Sequence, residues 1–137
     1  MNTPDKSTVL IVEDHEIFRL GIRELINHEP DLAVCGEAED VDSAKMLIRK
    51  LHPALVIIDI TLKKSNGMDL IKEISSFHKG IRMLVLSMHD ELLYAERSLQ
   101  AGAQGYIMKQ ETSRSIVKAI RHILAGKFQQ TFSFNTH

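Results

Sequence analysis

The apolar run Leu55-Val56-Ile57-Ile58 stops at a carboxylate, Asp59, and this constrains the fold more than any other feature of the chain. An unbroken apolar run, unlike an alternating one, describes a strand covered on both faces, as in a parallel sheet with helices on either side. The carboxyl end of such a strand is where open α/β sheets bind their ligands. The pattern recurs: Val9-Leu10-Ile11-Val12 leads into Glu13-Asp14, Leu84-Val85-Leu86 into Ser87, and Tyr106-Ile107-Met108 into Lys109. If these runs are strands of one sheet, three acids, a hydroxyl and an ammonium collect on one edge. That set suits acceptance of a phosphoryl group with the help of a metal ion.

Segments of helical period lie between the runs, which predicts five βα units of a doubly wound α/β domain. Phe18, Gly21, Ile22 and Leu25 recur at three- and four-residue spacing, as do Val41, Ala44, Leu47, Ile48 and Leu51. Pro30-Asp31 precedes a second strand near 32–36, and His52-Pro53 closes the second helix. Asn66 is the expected N-cap of a third helix carrying Met68, Ile71 and Ile74. A fourth helix is expected from Glu91 to Gln100, with Gly102 at its end. Thr112 or Ser113 should cap the last helix, whose stripe is Ile116, Val117, Ile120, Ile123 and Leu124. Residues 1–126 form the expected domain, and 127–137 a tail or the start of a linker. The tail has no strong period.

Composition excludes several alternatives. A net charge of −1 in 137 residues gives no electrostatic basis for nucleic-acid binding by this chain alone. One cysteine, Cys35, excludes an internal disulfide, and its apolar neighbours predict a buried strand position. The seven histidines show no metal-ligand spacing, although His15 and His89 fall near the proposed site. No apolar stretch reaches membrane-spanning length and the first residues are polar, so the expected location is cytoplasmic, without membrane contact.

Asp59 is the expected nucleophile, since a carboxylate can attack phosphorus to give an acyl phosphate. Attack by one anion on another needs charge neutralisation: like unit charges about 4 Å apart repel by roughly 4 kcal/mol at an effective dielectric near 20. Glu13 and Asp14 add to that repulsion unless a cation sits among them. An all-oxygen ligand set points to Mg²⁺, with Asp14 and Asp59 as direct ligands and Glu13 acting through water. Lys109 supplies a further positive charge, and Ser87 a hydroxyl donor, to the phosphoryl oxygens.

These motifs, taken in order, resemble the receiver domain of two-component response regulators over nearly the whole chain. The spacing from Asp59 to Gly67 equals the family's. Glu13-Asp14-His15 with Phe18-Arg19 and Gly21, and Gly102-Ala103-Gln104-Gly105-Tyr106, are similar to the NarL/FixJ subfamily with LuxR-type output. The resemblance implies a flavodoxin-like sheet of order 2-1-3-4-5 and Mg²⁺-dependent transfer of phosphate from a sensor histidine kinase to Asp59. It implies that the backbone carbonyl of Thr61 completes the metal's protein ligands, and that Tyr106 swings inward when the Ser87 hydroxyl moves. The chain would then be a switch, not an enzyme, catalysing only its own phosphorylation and dephosphorylation. DNA would be reached only through an output domain absent from this chain. Phosphorylation-dependent homodimerisation would use the last helices and strand, where Arg114, Lys118 and Arg121 form an outer face. Lys63 and Gln110 stand where many receivers carry proline.

Competing readings fit less well. A haloacid-dehalogenase-like phosphatase needs a second aspartate two residues after the nucleophile, where this chain has Thr61. A nucleotide or flavin binder of similar fold needs a glycine-rich loop after the first strand, and none follows Val12.

Overall fold

The structure is a computed structural model that describes residues 5–88 and 92–126. Strands and helices alternate along the chain. They are β1 (Ser7–Val12), α1 (Glu16–Asn27), β2 (Leu32–Ala38), α2 (Val41–Leu51), β3 (Leu55–Asp59) and α3 (Gly67–Phe77). There follow β4 (Arg82–Ser87), α4 (Leu92–Ala101), β5 (Gly105–Met108), a 3-10 turn (Lys109–Glu111) and α5 (Thr112–Leu124). The five strands pair in parallel in the order β2-β1-β3-β4-β5. This is the expected doubly wound, flavodoxin-like arrangement.

Alternate residues of each central strand feed opposite faces, and both faces are dry. Val9, Ile11, Leu55, Ile57, Leu84, Leu86 and Ile107 pack against Ile22 and Ile26 of α1 and Ile116, Ile120 and Ile123 of α5. Leu10, Val12, Val56, Ile58, Met83, Val85 and Met108 meet the buried sides of α2, α3 and α4. The apolar runs are continuous because a side chain on either face of these strands is removed from water. Each fully buried isoleucine of the α5 stripe contributes about 1.5–3 kcal/mol of transfer free energy.

Helix ends follow side-chain chemistry in part. The Asn66 carboxamide accepts from Met68 N–H at 2.9 Å, as expected of an N-cap, and Asp40 does the same for Ser43 N–H at 2.8 Å. The expected cap of α5 is not formed. The 3-10 turn after β5 runs directly into the helix, so Glu111 takes the cap position with no side-chain capping bond. Thr112 is already helical, and its buried hydroxyl receives no hydrogen bond. Two burial expectations are also corrected. Cys35 is half-buried because β2 is an edge strand, and Gly21 lies on the outside of α1, where Ile26 replaces it in the core. The expected helix start Glu91, together with His89 and the tail 127–137, falls outside the described residues.

On α5, Arg121 lies on the outer face as expected, but it is paired. Its guanidinium binds Asp31 at 2.8 Å and Glu29 at 2.6 Å, tying the helix to the α1–β2 connection. The Arg121 hydrogen bonds hold the Asp31 carboxyl below the usual carboxylate range.

Gly102 follows α4 with φ +127°, and a Cβ there would lie 2.4 Å from Ser75 Oγ. Gly102→Ala is therefore expected to destabilise the domain by about 1–3 kcal/mol. Gly21→Ala, in a helix interior with nothing within 4 Å, should instead stabilise it by about 0.5–1 kcal/mol. Urea denaturation of the two variants checks both signs.

Candidate functional site

Strand register assembles the site. Val12 pairs with Ile58 and with Ala38, Asp59 with Leu86, and Ser87 with Met108. The residues that follow β1 and β5 are thereby level with Asp59 and Ser87. Backbone bonds continue the ladder past the strand ends, with Glu13 N–H to Ala38 O at 2.9 Å and Ile60 N–H to Leu86 O at 3.1 Å. The structure thus brings Glu13, Asp14, Asp59, Ser87 and Lys109 to one edge, with Thr61 beside them.

The three carboxylates each offer an oxygen within 4.8 Å of the others'. Glu13 is 0% exposed and Asp59 1%. Both oxygens of Asp59 are engaged. Oδ1 accepts from Thr61 N–H at 2.9 Å and from the Thr61 hydroxyl at 2.7 Å, while Oδ2 lies 3.1 Å from Lys109 Nζ. The same ammonium stands 3.1 Å from Glu13 Oε1. Glu13 Oε2 accepts from His15 N–H at 2.9 Å, and Asp14 Oδ2 from Lys63 N–H at 2.8 Å. Lys63, where many receivers carry proline, therefore contributes a backbone donor that proline lacks.

Charge is out of balance here. Burial foremost, and then the charge on Asp59, push the Glu13 carboxyl up to about 7. Burial also acts to raise Asp59, but the two Thr61 hydrogen bonds, Glu13 and Lys109 outweigh it and hold this carboxyl below its ordinary value. For Lys109, burial is outweighed by the charges of Asp59 and Glu13, and the ammonium is held above its usual value. One ammonium faces three acids, and Glu13 Oε1, though buried, receives no hydrogen bond. A small hard divalent cation fits this donor set: oxygen ligands only, with excess negative charge.

Ser87 is fully buried, and its hydroxyl donates to Met88 O at 3.2 Å, long for a hydroxyl donor. Tyr106 is 4% exposed and lies within the cluster beneath α2, α3 and α4.

Phe18 and Arg19 stand in the subfamily motif quoted above, but the contacts they make are absent from a motif reading of the sequence. Arg19 donates to the Glu13 carbonyl at 2.7 Å and binds Glu37 at 3.0 Å, and Glu37 also binds Arg23 at 2.7 Å. The backbone of the acidic pair is thereby braced against α1 and β2. Phe18, one residue earlier, places its ring centroid 4.6 Å from Lys109 Nζ. The available signal was position in the first turn of α1, adjacent to the acidic pair. Gly67 closes the other side: a Cβ there would lie 3.0 Å from Asp59 O and 3.2 Å from Ile60 Cα, so α3 begins in direct backbone contact with the Asp59 segment.

Comparison with known proteins agrees with this geometry. Residues 9–121 match the family described as Response regulator receiver domain. The chain is 36% identical over 120 residues to a putative transcriptional regulator of Pseudomonas aeruginosa, covering 88% of this chain and 58% of that protein. It is 30% identical to transcriptional regulatory protein DegU of Brevibacillus brevis, covering 89% of this chain and 52% of the relative. The chain thus spans little more than half the length of these curated relatives. Among solved structures, a LuxR-family two-component response regulator from Aurantimonas sp. SI85-9A1 superposes with a TM-score of 0.85 at 33% identity, covering 95% of this chain and 90% of the other. The receiver domain of the putative response regulator NarL from Mycobacterium tuberculosis gives 0.83 at 31% identity, covering 90% and 99%. With matching strand order, matching motifs and a family match over most of its length, the chain belongs to the response regulator receiver domain family, among the NarL/LuxR-type regulators.

Proposed function

We propose that Asp59 is the phosphoacceptor of this receiver domain and that Glu13, Asp14, Asp59 and the Thr61 backbone carbonyl hold Mg²⁺. The observation that carries the reading is the imbalance at the strand ends: three acids within 4.8 Å of one another, two of them buried, against one ammonium. When bound, Mg²⁺ supplies the positive charge that lets an anionic donor approach such a cluster. A carboxylate oxygen of Asp59 forms a bond to phosphorus as the bond from phosphorus to the donor nitrogen of a sensor kinase's phosphohistidine breaks. The imidazole leaves and an acyl phosphate remains. Lys109, already beside Asp59 Oδ2, stays as a counter-charge to the phosphoryl oxygens. The domain turns over no external product beyond its own phosphorylation and hydrolysis.

Phosphorylation adds about −1.5 to −2 charge at this edge. The Ser87 hydroxyl exchanges its long bond to Met88 O for a charge-assisted one to the phosphoryl group. That exchange draws in the end of β4 and biases α4, with Tyr106 packed beneath it, toward a second arrangement. Output is to transcription, the role named for the longer relatives, through a separate output domain. The receiver spans 1–126, with 127–137 a tail or the start of a linker, and acts in the cytoplasm. Among the described residues no helix is long and apolar enough to cross a membrane.

Asp59 is expected to take label from acetyl phosphate, or bind beryllofluoride, only when Mg²⁺ is present. Intact-mass measurement with and without chelator tests this, and equal labelling of Asp59→Asn and wild type would refute it.

Lys109→Ala and Ser87→Ala should still bind Mg²⁺ and accept label slowly, yet respond less around α4 and Tyr106. Loss of one charged hydrogen bond costs about 1.5–3 kcal/mol, which lowers the activated population roughly tenfold to 150-fold. NMR spectra of the labelled variants that coincide with activated wild type would contradict this.

Activation should also promote self-association through the outer face of α5 and its neighbours. Arg121 binds Glu29 and Asp31, and Arg114 lies 3.6 Å from Glu111, so the basic outer face of α5, with Lys118 exposed on it, meets a partner with ion pairs already formed. A differential contact energy of about 1.4 kcal/mol raises the association constant tenfold. Sedimentation velocity across a beryllofluoride titration should shift toward dimer; unchanged distributions would favour release of an output domain instead.

A further inference from the structure

We propose that Phe18 is a positioning residue of the acceptor site, holding the Lys109 ammonium in line with Asp59 through the face of its ring. The inference rests on the assignment of Asp59 and Lys109 made above and adds a third wall to the ammonium's pocket. Lys109 Nζ has Glu13 Oε1 and Asp59 Oδ2 each at 3.1 Å on one side and the Phe18 ring centroid at 4.6 Å on another. A cation within about 6 Å of a ring centroid is attracted by the ring's negative face, more so when it is partly desolvated. The Lys109 side chain is 17% exposed, so most of its water has been replaced by these groups.

The placement of the ring is braced. Phe18 N–H donates to His15 Nδ1 at 3.2 Å, which caps α1 and fixes its first turn. The next residue, Arg19, donates to the Glu13 carbonyl at 2.7 Å, so the same turn fixes the acidic loop. The first turn of α1 therefore sets the spacing between the acids and the ammonium: Arg19 holds the Glu13 backbone, and Phe18 faces the Lys109 ammonium. Two carboxylates alone leave the flexible lysine stem free to swing toward solvent. An aromatic face removes that alternative while donating no hydrogen bond that would compete with a phosphoryl oxygen.

The test uses Phe18→Leu, which keeps apolar bulk without a ring, and Phe18→Tyr, which restores the ring. In wild type, the Lys109 ε-methylene protons should show an upfield ring-current shift by NMR that is lost in Phe18→Leu and returns in Phe18→Tyr. This is read without any activator and so stands apart from the phosphoacceptor assignment. Beryllofluoride at saturating Mg²⁺ should bind Phe18→Leu roughly twofold to thirtyfold more weakly, with Mg²⁺ affinity and melting temperature near wild type and with recovery in Phe18→Tyr. Absence of the ring-current shift overturns the proposal. So does wild-type beryllofluoride affinity in Phe18→Leu, or an equal loss in Phe18→Tyr. Parallel loss of Mg²⁺ affinity also overturns it, because that marks general distortion of the acidic loop. Beryllofluoride binding that is the same in wild type and Asp59→Asn refutes the phosphoacceptor assignment instead.

Discussion

Like charge concentrated where water has been removed is the condition to which the rest of this domain answers. Glu13 and Asp59 are essentially inaccessible, Asp14 lies beside them, and Lys109 is the cation among the described residues that touches both buried acids. An arrangement of this kind is held in place by the scaffold, not by its own attraction. The scaffold is a sheet whose central strands are covered on both faces, so the strand ends cannot shift apart without exposing side chains that contribute about 1.5–3 kcal/mol each. Backbone bonds beyond the strands, from Glu13 to Ala38 and from Ile60 to Leu86, extend that rigidity into the site.

The fold was legible because burial on both faces writes itself into sequence as uninterrupted apolar runs, which mark the strands, while the strand order followed from the family resemblance and agrees with the sheet. Positions where one face is open were less legible. Cys35 sits among apolar neighbours yet lies on an edge strand, and local composition does not say which strand is at the edge. The cap of α5 was misjudged for a similar reason. Thr112 has the chemistry of a cap, but the 3-10 turn that decides its position comes from β5 and α5 meeting without a loop.

Within the site, residues that act from strand ends were visible because their spacing from the apolar runs is fixed. Contacts made from a neighbouring element were not, even where the residues belong to a quoted motif. Phe18 and Arg19 approach Lys109 and Glu13 from a helix turn, and the contact of Arg19 with Glu37 spans 18 positions. The side chain of Thr61 was also unanticipated: its hydroxyl and N–H both serve Asp59 Oδ1. Tyr106 shows the effect of packing on an edge strand: it stands on β5 at the sheet's edge, and the cluster beneath α4 buries it.

Gly67 makes the segment that begins at Asp59 a gauge of fixed length. Its missing side chain lets the first turn of α3 rest on the Asp59 carbonyl, so both ends of the segment are anchored while Lys63 and Lys64 between them are exposed. Descent with modification can therefore act on this stretch in only one way. A side-chain change at its exposed middle leaves both anchors in place, whereas an inserted or deleted residue must displace either Asp59 or the start of α3. Variation in this stretch is thereby steered to the surface presented around 63–64, with the position of the Asp59 carboxylate beneath it unchanged.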